Sequence, residues 1–132
     1  MASNKSVIAI IEDDEGFREA LAGMLTSFGY EPVEFSGARE FLESSERGRV
    51  CCVISDIQMP GMSGLELQKI ISAEERPIPT LLITAMPSDD GRKRALEAGA
   101  FCYLAKPFAD EDLLGCIERA LRSPHSSESA LS

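Results

Sequence analysis

Ser6-Val7-Ile8-Ala9-Ile10-Ile11-Glu12-Asp13-Asp14 decides the fold. An unbroken Val/Ile/Ala run that ends abruptly in acids fits a strand buried on both faces of a parallel sheet, with its polar residues at the strand's end. Working outward, Glu15 to Phe28 places Phe17, Leu21, Met24, Leu25 and Phe28 at three- and four-residue spacing, with Gly29 as a helix stop. The alternation then repeats. Glu31 to Phe35 reads as a strand and Ala38 to Glu46 as a helix; Val50 to Ser55 reads as an apolar strand closing at Asp56. After a Met-Pro-Gly-Met-Ser-Gly loop come a helix from Leu65 to about Glu74, a strand Thr80 to Ile83 closing at Thr84, and a helix Ser88 to Glu97 stopped by Gly99. A strand Phe101 to Ala105 leads into Lys106-Pro107, and a last helix runs from Asp110 to Leu121. Alternating βα units of this length imply a doubly wound α/β domain, a five-stranded parallel sheet flanked by five helices.

The chain's 132 residues fit one domain, residues 1–122, followed at 123–132 by a Ser-rich tail or linker start. Hydrophobic residues make up 44%, enough for a core. A net charge of −9 leaves no basic face for phosphate backbones, so direct nucleic-acid contact by this segment is not expected. The four cysteines form no C-x-x-C pair and the single His125 lies in the tail, which argues against zinc. Cys51 and Cys52 are expected to fill the core beside the third strand. The apolar run near the N-terminus is too short for a signal peptide or a membrane span, so a cytoplasmic location with reduced thiols is expected.

Ligands of open parallel sheets bind at the carboxyl ends of the strands. Four of the five strands end there in polar groups: Glu12 and Asp13, then Asp56, Thr84 and Lys106. Each has a plainer reading. Asp14 and its neighbours suit a helix N-terminus, Asp56 a turn, Thr84 a helix cap and Lys106 a surface charge. Those readings do not explain why all of them fall at one end of the sheet. Three carboxylates at one edge call for a cation, and an all-oxygen set with room for water suits Mg²⁺.

Ile11-Glu12-Asp13-Asp14, Ser55-Asp56-Ile57-Gln58-Met59-Pro60-Gly61-Met62-Ser63-Gly64, Leu82-Ile83-Thr84-Ala85, Ala98-Gly99-Ala100 and Lys106-Pro107-Phe108 together resemble the receiver domain of bacterial two-component response regulators, over about Ser6 to Leu121. The stretch from Ala105 to Leu114 is similar to the FixJ-like transcription-regulator branch. The resemblance implies that Asp56 accepts a phosphoryl group from a sensor histidine kinase or phosphotransfer protein. It implies that Asp13, Asp56 and the Gln58 backbone carbonyl ligate Mg²⁺, with Glu12 acting through metal-bound water. It also implies that Thr84 and Lys106 bind the phosphoryl oxygens, and that Ala85 leaves room for Thr84 to move.

Glu12 departs from the family's usual Asp, and its extra methylene bears on Mg²⁺ affinity. The resemblance places Gln58 and Met86 beside the path of an attacking water, and they are expected to tune dephosphorylation. Tyr103 has two readings, an aromatic that turns inward on switching or a half-buried strand residue with a solvated hydroxyl. The resemblance implies that Lys106-Pro107 is cis, although from the sequence alone cis is the minority form of an X-Pro bond. The output surface implied is the fourth helix, fifth strand and fifth helix, for homodimerisation or partner docking, and the Ser-rich end suits either a single-domain regulator or one continuing into a DNA-binding domain.

The domain would be a phosphoacceptor that assists its own phosphorylation and dephosphorylation, not an enzyme. Its rivals are a receiver that docks without phosphorylation, a Mg²⁺-dependent phosphatase of the haloacid dehalogenase type, and a flavodoxin-like cofactor binder. The phosphatase needs a second acid two residues beyond the nucleophile, where Gln58 stands. The cofactor binder needs a phosphate-cradling loop after the first strand, and there is none.

Overall fold

A computed structural model describes residues 5–122. Strands β1 (Val7–Ile11), β2 (Glu31–Phe35), β3 (Cys52–Asp56), β4 (Thr80–Thr84) and β5 (Cys102–Ala105) alternate with helices α1 (Glu15–Ser27), α2 (Ala38–Leu42), α3 (Gly64–Ser72), α4 (Asp89–Glu97) and α5 (Asp110–Leu121). The sheet is parallel, in the order β2-β1-β3-β4-β5. This is the doubly wound architecture expected, and its strand order reverses between β1 and β3.

Side chains alternate across a strand, so each strand feeds two cores. Ile8, Ile10, Cys52, Ile54, Leu81 and Ile83 pack against α1 and α5 through Leu21, Leu25, Leu113 and Ile117. Val7, Ala9, Ile11 and Val53 point the other way, onto Phe41 of α2 and Leu67 and Ile71 of α3. A smaller cluster of Leu82, Ala95, Ala100 and Tyr103 seats α4. Every residue of β1, β3 and β4 is buried, which explains why these strands read as continuous apolar runs.

Local chemistry places the helix starts. Asp14 caps α1 by accepting from the Gly16 and Phe17 amides, and Ser63 with Glu66 forms a reciprocal capping box on α3. Ser88 caps α4, so the alternative reading of Thr84 as a helix cap does not hold. Gly99 ends the α4 turn at φ +104°, a conformation that side-chain-bearing residues rarely adopt.

Three expectations need correction. The second helix stops at Leu42, four residues early, because nothing apolar follows and Ser44 turns the chain by accepting the Glu46 amide; a 3-10 turn at Arg47–Arg49 completes the connection. The third strand begins at Cys52, not Val50. Cys51 is accordingly exposed, and only Cys52 of that pair fills the core. The tail expected at 123–132 lies outside the described residues. Among the described residues, no helix is long and apolar enough to cross a membrane.

Candidate functional site

Register brings the strand-end residues together. Ile11 lies beside Ser55 and Asp56 beside Ile83, while Thr84 pairs with Ala105. Glu12, Asp56, Thr84 and Lys106 therefore emerge side by side at the carboxyl edge, centred where the strand order reverses.

Asp56 closes β3 and is 6% exposed. Its Oδ1 accepts from the Gln58 amide at 3.3 Å and its Oδ2 from Lys106 Nζ at 3.2 Å. Lys106, just past β5, also donates to Glu12 Oε1 at 2.9 Å and lies 4.3 Å from the Phe17 ring centre. Lys106-Pro107 is cis, as expected. Glu12 is buried at 1% exposure, and its other oxygen accepts from the Asp14 amide at 3.1 Å. Asp13 is exposed beside it.

Burial pushes the Glu12 carboxyl above its usual range and the charge of Asp56 adds to that; Lys106 and the Asp14 amide oppose it incompletely. Burial pulls Lys106 down, but the Glu12 and Asp56 carboxylates outweigh this and raise it. Lys106 is held charged by the acids it joins.

Carboxylate oxygens of Glu12, Asp13 and Asp56 lie within 4.8 Å of one another. With all three ionised, Lys106 neutralises one charge and leaves two, which a small divalent cation would match. The donors are all oxygen and Asp13 opens to solvent, so the set fits Mg²⁺.

Thr84 is fully buried. Its hydroxyl donates to Gln58 Oε1 at 2.8 Å and accepts from the Met86 amide at 2.9 Å. Ala85 and Met86 are exposed, Met86 at 71%. Tyr103 is 7% exposed, and its hydroxyl accepts from the Ser88 amide at 3.2 Å. The ring therefore packs inward, with its hydroxyl against the Ser88 amide.

The residues alone did not reveal two partners of this site. Phe17 reads as an ordinary apolar position of the first helix, yet its ring lies beneath the Lys106 ammonium. Gly64 reads as part of a turn, yet a Cβ there would lie 2.3 Å from the Asp56 carbonyl oxygen, so it lets α3 start against the end of β3.

Fold and site together define a class: a doubly wound parallel domain whose carboxyl edge joins a buried carboxylate, a lysine and a buried threonine. The model of the response regulator receiver domain family matches residues 8–118, and the chain belongs to that family. Response regulator protein TmoT of Ectopseudomonas mendocina is 37% identical over 131 residues, covering 98% of this chain and 60% of TmoT. Transcriptional regulatory protein FixJ of Bradyrhizobium diazoefficiens is 36% identical over 120 residues, covering 91% of this chain and 58% of FixJ. The structure of the response regulator StyR superposes with a TM-score of 0.84 at 37% identity, covering 96% of this chain and 64% of that one. The chain thus spans only about three-fifths of these two relatives' lengths.

Proposed function

We propose that Asp56 is the phosphoacceptor of a two-component phosphorelay. The observation that carries this reading is a nearly buried carboxylate at the strand-order reversal, held on one oxygen by Lys106 at 3.2 Å and on the other by the Gln58 amide at 3.3 Å. The donor is a phosphohistidine on a sensor histidine kinase or phosphotransfer protein. An oxygen of the ionised Asp56 attacks phosphorus, the N–P bond breaks, and the pair of electrons leaves with the imidazole. An ionised carboxylate needs no general base, so the domain's work is positioning and charge neutralisation.

Asp13, Asp56 and the Gln58 carbonyl would hold Mg²⁺, with Glu12 acting through its water; bound there, the ion neutralises the charge that develops on the phosphoryl oxygens. Lys106 leaves Glu12 to pair with a phosphoryl oxygen, and Thr84 donates to another. The phosphate's added charge and acceptors then bias the loop between β4 and α4, and the change is read on the α4-β5-α5 face by a second copy or an output partner. Control of transcription is the output suggested by the FixJ relative's name. A phosphatase reading is disfavoured because the Gln58 carboxamide, bonded to Thr84, offers no acid–base group for turnover.

Intact mass after incubation with Mg²⁺ and a small acyl phosphate tests the reading, on the wild type and Asp56→Asn in parallel. One phosphoryl adduct that requires Mg²⁺ and is lost in the variant is expected. A folded wild type that stays unmodified, with a phosphohistidine donor failing as well, would leave docking without phosphorylation as the function.

A further inference from the structure

We infer that Gln58 is a positioning residue: its side chain holds the Thr84 hydroxyl away from Asp56 before phosphorylation, so the phosphoryl group must break that bond to recruit Thr84. The inference rests on the reading that Asp56 accepts the phosphoryl group. A threonine hydroxyl has a single proton to donate. In this chain that proton goes to Gln58 Oε1 at 2.8 Å, and Thr84 itself is fully buried. One lone pair of the same oxygen accepts the Met86 amide at 2.9 Å. The hydroxyl can serve Gln58 or a phosphoryl oxygen, and it cannot donate to both.

The two ends of Gln58 act in opposite directions. Its main-chain N–H steadies Asp56 Oδ1 at 3.3 Å, while its carboxamide withholds the one hydroxyl that would reach the product of phosphorylation. The carboxamide has somewhere to go on release, because a cavity of about 220 Å³ lined by Gln58, Leu65, Thr84, Met86, Ser88 and Tyr103 opens beside it. The hydroxyl's acceptor bond to Met86 carries any movement of Thr84 into the loop after β4, and Ser88 of that loop already donates to the inward-facing Tyr103. The tyrosine is in place, so Thr84 is the part of the arrangement that still has to change partner.

This role differs from tuning the phosphoryl lifetime, since it acts on an equilibrium and needs no attacking water. Beryllofluoride, a non-hydrolysing stand-in for a phosphoryl group on a carboxylate, separates the two. Its Mg²⁺-dependent affinity is measured by fluorine NMR for the wild type, Gln58→Met, Thr84→Val and the double variant; Gln58 is exposed, and an unchanged amide spectrum confirms each fold. Gln58→Met keeps the side-chain length and removes the acceptor. It is expected to tighten binding about two- to tenfold, the range one net hydrogen bond supplies. The same substitution in the Thr84→Val background is expected to change nothing, because no hydroxyl is left to release. Unchanged or weaker binding in Gln58→Met, or equal tightening with and without the Thr84 hydroxyl, overturns the inference. Failure of the folded wild type to bind beryllofluoride with Mg²⁺ removes the phosphoacceptor reading, and the inference with it.

Discussion

Gly64→Ala sets helix propensity against a close contact, and the two predict opposite signs. Alanine in place of glycine ordinarily stabilises a helix by about 0.5–1 kcal/mol. Gly64, however, begins α3 against the end of β3, where a Cβ would meet the Asp56 carbonyl oxygen at 2.3 Å and Ile57 Cα at 2.9 Å. Both neighbours are main chain and cannot swing aside. Relieving the first contact to 3.0 Å takes a displacement of 0.7 Å, and it strains the bond from the Gly64 amide to the Ile57 carbonyl, now 3.0 Å long. Overpacking costs about 1–3 kcal/mol and a weakened hydrogen bond up to about 1, so after the helix gain the variant should lose about 2 kcal/mol at mid-range and up to about 3.5. Urea unfolding followed by far-UV circular dichroism measures this. Gly23→Ala is the control: Gly23 lies in α1 with no atom near its Cβ position, and the variant should gain about 0.5–1 kcal/mol. Because the shift falls on Asp56 itself, acyl phosphate should modify Gly64→Ala about tenfold or more slowly, since a 1 Å misplacement of a reacting group costs about 100-fold. A Gly64→Ala protein as stable as the wild type would refute the close-packing argument.

Lys106→Met strands the buried Glu12 and Asp56 carboxylates and should cost about 3 kcal/mol without Mg²⁺, the low end for breaking a buried pair because Lys106 keeps 18% exposure. Adding Glu12→Gln should recover part of that loss, and strict additivity in denaturant melts would argue that the pair carries no coupling. Burial pushes the Cys52 thiol up from 9.0, so the folded chain keeps a proton that the unfolded chain gives away. The stability this supplies is complete below pH 9 and is lost as pH rises further, at about 1.4 kcal/mol per pH unit. Cys52→Ala should flatten the alkaline slope by that amount, whatever it does to stability at neutral pH; an unaltered slope would mean the thiol ionises equally in both states.

The parallel sheet was legible because three of its strands are buried on both faces, which writes Val7–Ile11 and residues 81–83 as short apolar runs recurring between amphipathic helices. The site was legible at the level of which residues converge, since a strand's last residue is fixed by where its apolar run stops. Who bonds whom was not legible. Lys106 bonds to a carboxylate 94 positions away and Thr84 to an amide 26 away, and side-chain reach across neighbouring strand ends leaves no trace in local periodicity. The early end of α2 was missed for the opposite reason. It depends on one serine side chain capturing the Glu46 amide, a local competition that a polar stretch neither favours nor forbids.

The central place of β1 in the sheet also bears on how the chain comes off the ribosome. Ile8 pairs with Cys52 on one side, a residue made 44 positions later. At a synthesis rate of about 5–20 residues per second, that flank stays uncovered for roughly 2–9 s. During those seconds the nascent chain carries a sticky five-residue segment, flanked by Lys5 on one side and by Glu12, Asp13 and Asp14 on the other, charges that discourage other chains from pairing with it. Glu12 and Asp13, which later belong to the site, thus first serve as gatekeepers against aggregation.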